Sequence, residues 1–246
     1  MADVQLKQVV SCGPLPSGRP RVAQIFTRSG VAPTLLSDLP GMVIVHKPAD
    51  WEVDGLVTEE GGGNHAPLSA FVQSLLPRSK YPLVWDVRHN YGFLHRLDVP
   101  SSGLVLGGTS LEGYYWLRLQ LDSQRLQREY FVLCQGLAPP SLFEVVARVD
   151  VAPEPTQRRS INDSGKPARS MLSILAHIQT SSSQHSIGQT MSIVSIHILT
   201  GRRHQIRVHL RHRGHSSVTD ARYTCREVLL LPRQLQGLSA LELLQR

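Results

Sequence analysis

Cysteines are few in this chain, and long hydrophobic runs are missing. The 246 residues contain three cysteines, Cys12, Cys134 and Cys225, which lie far apart and form no Cys-x-x-Cys pair. Such a set indicates neither a disulfide framework nor a zinc or redox motif. No segment has the length and apolarity of a transmembrane helix, and the N-terminus lacks the apolar stretch of a secretory signal. We therefore expect a soluble intracellular protein, with cytoplasm, nucleus and organelles all open.

Lysine is scarce as well. Of the 26 basic residues four are lysines and the other 22 are arginines, against 19 acidic residues and a net charge of +7. The planar guanidinium group binds phosphate in a bidentate manner, and an excess of positive charge favours a polyanionic partner such as RNA. An arginine-rich composition with solvated side chains would produce the same charge, so charge alone leaves both interpretations open.

The spacing of apolar residues predicts an α+β fold. Strand-like segments outnumber helical ones and often follow one another directly, which is typical of a mixed, largely antiparallel β-sheet with flanking helices. Helices are predicted at 68–76, at 111–121 and between Thr200, as an N-cap, and Gly214, as a left-handed C-cap. Strands are predicted at 42–45, 104–106, 128–135, 143–151, 168–178 and 192–199.

The same reading divides the chain into three parts. Residues 1–40 are rich in proline and glycine and show little periodicity, so we interpret them as an N-terminal extension that is partly disordered. The core is predicted to begin at Gly41 and to run through 41–226 as one catalytic domain. Residues 227–246 form a divergent C-terminal tail.

The most informative segment is His95-Arg96-Leu97-Asp98, because a turn and an apolar strand follow it and would hold Asp98 at a rigid edge. Alone, an aspartate beside an arginine is more often a surface ion pair, and a tyrosine in a strand is more often a core residue. Two further segments favour a functional interpretation. These are Arg-Glu-Tyr-Phe-Val-Leu at 128–133, and Thr-Gly-Arg-Arg-His-Gln-Ile-Arg-Val-His-Leu at 200–210 with Gly214-His215 and Asp220 after it.

In this order the segments resemble the RluA-type pseudouridine synthases, which modify large-subunit ribosomal RNA and tRNA. The resemblance runs from about Gly41 to about Cys225, and Lys47-Pro48 resembles the family's opening segment. It implies the family's catalytic fold with a central cleft, no cofactor, and isomerisation of a flipped uridine to pseudouridine. It also implies that Asp98 attacks the ribose C1′ or the uracil ring, that Tyr130 packs against uracil and accepts the C5 proton, and that Arg207 pairs with Asp98.

The resemblance further implies a set of RNA contacts. Arg96 matches the arginine that fills the space left by the flipped uridine, His95 orients the loop, and Arg128 stands where a lysine is usual. The predicted RNA-binding set is His95, Arg96, Arg128, Arg202, Arg203 and His204. The expected partner is rRNA or tRNA; we expect a monomer, with no obligate protein partner and no membrane.

Three segments depart from the family pattern and support an alternative function. Val99-Pro100 lacks the usual basic residue, 216–219 replaces the usual Pro-Ile-x-Gly, and the C-terminus is not recognisable. An RNA-binding protein that retains the fold without turnover is therefore the alternative.

A third hypothesis is a zinc or acid-base hydrolase that uses the histidines at 204, 209, 212 and 215. These histidines have no His-Glu or Cys-x-x-Cys companion, and the arginines at 207, 211 and 213 would repel a cation. We therefore predict no metal.

Overall fold

The computed structural model of the protein describes residues 31–53, 66–150, 158–179, 189–218 and 220–224. Within these ranges the chain forms two antiparallel sheets, a short parallel pair of strands and α-helices, which confirms the α+β class. In chain order the elements are β1 (Thr34–Leu39), β2 (Met42–Lys47), β3 (Trp51–Glu52), β4 (Ala66–Pro67), α1 (Leu68–Leu75), β5 (Gly103–Gly108), α2 (Leu111–Asp122), β6 (Glu129–Gln135), β7 (Glu144–Val146), β8 (Arg169–Gln179), β9 (Thr190–Ile198) and α3 (Gln205–His212). Two short 3-10 segments, Pro82–Trp85 and Val87–Gly92, lie between α1 and β5.

The first sheet has the order β1-β2-β5, and both pairs are antiparallel. Along β2 the buried residues alternate with partly exposed ones, so Val43, Val45 and Lys47 share the core face. Val45 pairs with Val105 of β5, and both are fully buried. β1 begins at Thr34, before the predicted start of the core at Gly41, because its backbone pairs with β2 and completes this sheet.

The second sheet has the order β6-β9-β8-β7 and is antiparallel throughout. Its core face carries Cys134, Val194 and Ile196, and Leu210 of α3 packs against this face. Tyr130 of β6 pairs with Ile196 and packs against the hydrophobic cores of both sheets. The tyrosine therefore lies at the junction between the two halves of the molecule.

Most predicted elements are confirmed; besides the unpredicted strand β1, two boundaries are wrong. The predicted strand at 143–151 is shorter, because among the described residues that follow β7, up to Asp150, only Val149 forms isolated bridges, to Ile161 and Lys166. The C-terminal helix begins at Gln205 with His204 at the N-cap, so Thr200 does not cap it. The Thr200 hydroxyl is used elsewhere, accepting from the Arg169 backbone N–H and donating to the Gln205 side chain.

The end of the same helix is as predicted. Gly214 follows α3 with a φ of +83°, the left-handed conformation that glycine adopts without steric cost. No helix among the described residues is long and apolar enough to cross a membrane. The extension before residue 31 and the tail at 227–246 lie outside the described residues, so the division into three parts stays a prediction.

Candidate active site

Asp98 lies in the loop that leads into β5, and the loop is anchored on both sides of it. Leu97 is buried in the core of the first sheet, and the Ser101 N–H donates to the Asp98 carbonyl at 3.0 Å. The Asp98 side chain remains 19% exposed. A buried neighbour and a closed turn thus present this carboxylate at the surface of a rigid scaffold.

Lys47 fixes the far side of this loop. It ends β2 on the core face and is fully buried, and its Nζ donates to the carbonyls of Pro48 at 3.0 Å, Trp51 at 2.8 Å and Val99 at 3.3 Å. Burial lowers the pKa of Lys47 to about 8, against the opposing pull of the Asp98 and Asp50 carboxylates. Sequence analysis assigned no role to Lys47. The available signal was a lysine at a position that continues the alternation of buried residues along β2.

Arg207 of α3 clamps two carboxylates at once. Its Nη1 donates to Asp98 Oδ2 at 3.0 Å, while Nε and Nη2 each donate to one oxygen of Asp220 at 2.7 Å. The predicted pairing of Arg207 with Asp98 is confirmed. Burial opposes the charge, but the hydrogen bonds and charges of both aspartates outweigh it and raise the pKa of Arg207 above its ordinary value.

Asp220 is the site residue to which sequence analysis assigned no role. Burial favours its neutral form, but the bidentate bond and charge of Arg207 lower its pKa below the ordinary value. Its Oδ1 also accepts from the backbone N–H groups of Arg222, at 3.1 Å, and Tyr223, at 3.2 Å. Asp220 therefore holds the guanidinium in the orientation that reaches Asp98.

This clamp leaves the two oxygens of Asp98 in different environments. Oδ2 accepts from Arg207 and lies 4.0 Å from His204 Nε2. No group in the described part of the chain hydrogen-bonds Oδ1. The Arg207 bond thus distinguishes Oδ2 from Oδ1.

Tyr130 and Arg128 form the neighbouring wall of the site. Burial raises the pKa of Tyr130, the Arg128 charge opposes that shift, and the Asp98 carboxylate adds to it, so the phenol is neutral at neutral pH. Gly201 leaves room for the Arg128 guanidinium, because a Cβ at Gly201 would stand 2.6 Å from Arg128 Nη1. The structure therefore brings Asp98, Tyr130 and Arg207 to the junction of the two sheets.

These observations agree with a comparison of the whole chain. The family described as RNA pseudouridylate synthase matches residues 41–212. The chain belongs to this family. The resemblance predicted from the three segments is thereby confirmed.

Individual relatives agree with this assignment. Ribosomal large subunit pseudouridine synthase D of Nitrosomonas europaea is 31% identical over 212 residues, which are 82% of this chain and 55% of the relative. Ribosomal large subunit pseudouridine synthase C of Buchnera aphidicola subsp. Schizaphis graminum is 27% identical over 189 residues, 76% of this chain and 52% of the relative. The chain thus spans about half the length of these curated relatives.

A solved structure shows the same fold. Human RNA Pseudouridylate Synthase Domain Containing 1 superimposes with a TM-score of 0.59 at 20% identity, covering 80% of this chain and 71% of that one. The predicted pseudouridine synthase fold is therefore confirmed.

The predicted RNA-binding residues have several environments. The His95 ring braces β5, because its Nε2 accepts from the Leu106 N–H at 3.2 Å, and burial together with the Arg128 charge lowers its pKa to about 4. Arg202 is exposed and its Nε donates to the Pro167 carbonyl, while Arg96 and Arg203 are partly buried. RNA contact by His95, Arg96, Arg128, Arg202 and Arg203 stays a prediction.

His204 is the one buried member of the predicted RNA-binding set. Its side chain is only 4% exposed and its Nδ1 lies 2.9 Å from the Tyr223 hydroxyl; RNA contact by His204 also stays a prediction. Its backbone is left-handed, with a φ of 56°, a conformation that costs a residue with a side chain about 1–2 kcal/mol. Sequence analysis could not place the ring, because burial depends on elements distant in sequence.

The structure does not bring together the histidines of the metal hypothesis. His209 bonds Ser170 and Ala147, while His215 bonds the Gln135 carbonyl. The described residues contain no group of three side chains suited to a metal ion.

Proposed function

We propose that the protein isomerises uridine to pseudouridine in RNA, with Asp98 as the nucleophile. The observation that carries the proposal is the Asp98 carboxylate, which Arg207 holds through Oδ2 and whose side chain is 19% exposed. An ion pair that is itself anchored by Asp220 fixes the direction of a nucleophile before substrate arrives. Membership of the family supports this chemistry.

The reaction conserves all atoms of the uridine. Asp98 Oδ1 bonds the ribose C1′ or a carbon of the uracil ring, the C1′–N1 bond breaks, and the uracil turns so that C5 faces C1′. The C1′–C5 bond then forms, the aspartate is released, C5 loses its proton and N1 gains one. The Asp98 carboxylate, held by Arg207, can attack either the ribose C1′ or the uracil ring. Because the product contains the same atoms as the substrate, the reaction requires no cofactor.

Tyr130 packs against the uracil in this scheme. It is a neutral phenol at the junction of the two cores, so it accepts the C5 proton only after it has given its own proton to N1 of the uracil, which balances the two transfers. Arg128 is the neighbouring cation that favours the ionised form. We assign to Tyr130 both the packing contact and, with the help of Arg128, the proton transfer.

RNA is the proposed partner, and the flipped base reaches Asp98 while arginines bind the backbone. Arg96 fills the vacated stack, and Arg128, Arg202 and Arg203 supply positive charge around the site. The names of the curated relatives favour ribosomal RNA as the substrate class. We propose an intracellular monomer, since no argument from the chain calls for a protein partner.

The decisive test uses total RNA and maps new pseudouridines by carbodiimide-stopped primer extension. We expect stops with the wild-type protein, and a rate at least roughly 10⁴-fold lower with Asp98→Asn, because the amide is a very poor nucleophile. Fluorescence anisotropy should show that Asp98→Asn still binds RNA. Asp122→Asn is the matched control, since that carboxylate lies on the exposed side of α2 and pairs with Arg118.

Three outcomes are informative. Stops that Asp98→Asn abolishes support the proposal. RNA binding by folded wild-type protein without any new stop supports the alternative of an inactive RNA-binding protein. Full activity in Asp98→Asn overturns the assignment of the nucleophile.

A further inference from the structure

His204 stands behind the Asp98 carboxylate, on the side away from solvent. Its Nε2 lies 4.0 Å from Asp98 Oδ2, the oxygen that also accepts from Arg207 Nη1 at 3.0 Å. Two nitrogens from the start of α3 therefore face one oxygen. Whether His204 acts as a donor there depends on which ring nitrogen carries the proton.

Tyr223 determines that protonation state. Its hydroxyl is buried, accepts from the Arg159 backbone N–H at 3.0 Å and lies 2.9 Å from His204 Nδ1. Because the Arg159 group is a donor, His204 Nδ1 is the acceptor among the described residues for the hydroxyl proton. The alternative tautomer would leave that proton buried without an acceptor in the described part of the chain, which is costly. Nδ1 therefore accepts, and Nε2 carries the hydrogen.

Other contacts hold this arrangement together. The Arg207 guanidinium carbon lies 4.8 Å from the centre of the Tyr223 ring, and the His204 ring packs edge-on against Tyr223 with centroids 5.7 Å apart. The Tyr223 N–H in turn donates to Asp220, which binds Arg207. The left-handed backbone of His204 directs its side chain into this cluster.

We propose that His204 is a positioning residue for Asp98, which presents an Nε2–H donor to Oδ2 and is held in that tautomer by Tyr223. The inference rests on the proposed function, since it takes Asp98 as the nucleophile. Arg207 donates to Oδ2 and His204 Nε2 faces the same oxygen, so both act on Oδ2 and leave Oδ1 for the substrate. At 4.0 Å the Nε2–Oδ2 separation is longer than a hydrogen bond, and catalytic contacts of this kind tighten when an enzyme binds its substrate.

Two substitutions at His204 separate positioning from folding. Asparagine tolerates the left-handed backbone, and its side-chain oxygen accepts from the Tyr223 hydroxyl, but it does not reach Asp98. Glutamine places an amide N–H near the position of Nε2. We expect His204→Asn to lower kcat about 10–100-fold with the KM for RNA within about twofold, and His204→Gln to recover at least roughly fivefold of that loss.

Melting temperatures of both variants show whether the fold persists. A loss of kcat in a stable His204→Asn protein, with rescue by glutamine, supports the proposal. Wild-type kcat in His204→Asn overturns it. Equal losses in the two variants with equal falls in melting temperature indicate a purely structural residue and also overturn it.

The tautomer is measured without reference to activity. Long-range ¹H–¹⁵N NMR of the full chain at about pH 8, where an ordinary histidine of pKa about 6.5 is neutral, shows which nitrogen is protonated. His204→Asn assigns the signal. We expect Nε2–H in the wild type and a mixture of tautomers in Tyr223→Phe; Nδ1–H in the wild type overturns the proposal. Nε2–H in a protein that modifies no RNA supports the His204 assignment while it overturns the proposed function.

Discussion

At the scale of single residues, Arg207 connects the site by sharing one guanidinium between two carboxylates. Asp220 takes two of its nitrogens and Asp98 takes the third. A bidentate bond fixes the plane of a guanidinium as well as its position. The direction in which Asp98 is held therefore depends on a residue that is 122 positions further along the chain.

Removal of Asp220 should therefore affect both stability and activity. Asp220→Asn weakens both bonds to Arg207, so we expect a free energy of unfolding lower by about 2–3 kcal/mol at pH 7, measured by urea denaturation. Pseudouridine formation should fall as well, because Arg207 no longer has a fixed plane. Asp122→Asn, on an exposed carboxylate, should change stability by less than about 1 kcal/mol.

The effect of Asp220 should depend on pH in a defined direction. Its pKa in the folded protein lies below the ordinary value of 3.8, so the charged form is favoured in the folded state. The charged form of Asp220 therefore contributes fully to the free energy of unfolding at a pH above its ordinary pKa. This contribution is lost as the pH falls through the lower pKa of the folded protein. The difference in the free energy of unfolding between the wild type and Asp220→Asn should be constant between pH 6 and 8, and it should shrink in acid below roughly pH 4. A gap that is unchanged in acid would contradict the ion-pair explanation.

At the scale of elements, α2 approaches the first sheet closely at the turn between β1 and β2. α2 begins with Ser110 as N-cap, whose hydroxyl accepts from the Gly113 N–H at 3.1 Å. A Cβ at Gly113 would lie 1.9 Å from the Gly41 carbonyl oxygen, so only glycine fits there. The helix thereby packs directly on the turn between β1 and β2.

Because of this packing, we expect Gly113→Ala to lower the free energy of unfolding, although alanine has a higher helix propensity than glycine. In an exposed helix Gly→Ala stabilises by roughly 1 kcal/mol, but Gly113→Ala must push α2 away from Gly41. We expect a net loss of about 1–3 kcal/mol in the free energy of unfolding, measured by chemical denaturation. Glu112→Ala, one residue earlier on the exposed side of α2, is the control and should be nearly neutral. Stabilisation by Gly113→Ala would show that α2 does not pack as described.

At the scale of the whole molecule, the net charge of +7 adds a long-range attraction for RNA to the short-range chemistry of the site. The Arg128 guanidinium lies next to Gly201. Its charge acts on Tyr130, as does the charge of Asp98, the carboxylate that would meet the flipped base. Because the bound protein neutralises phosphates and releases their counterions, the logarithm of the affinity falls linearly with the logarithm of the salt concentration.

The salt dependence of binding therefore counts phosphate contacts. In the Asp98→Asn background, which blocks turnover, Arg202→Gln should reduce the slope of log affinity against log salt by about 0.7–1. Arg118→Gln, which removes a charge paired with Asp122 on α2, should leave the slope unchanged. Equal slopes for all three proteins would contradict an RNA contact at Arg202.

The sequence by itself determined most of the elements, and it singled out Asp98, Tyr130 and Arg207, which the fold brings together. Strand alternation and helical spacing are local properties, and three ordered motifs suffice to identify the family. The early strand β1, the late start of α3 at Gln205 and the shortened β7 were missed. In each case the outcome depends on hydrogen bonds to partners elsewhere in the chain.

Only the tertiary structure decided how the site residues cooperate. His204 looked like an RNA contact in the sequence, yet packing buries it between Asp98 and Tyr223. Lys47 and Asp220 gained their roles from carbonyls and a guanidinium that the fold brings within hydrogen-bond distance. Residue types and spacing specify which groups are present, whereas distance and burial, which set pKa and hydrogen bonding, exist only once the chain has folded.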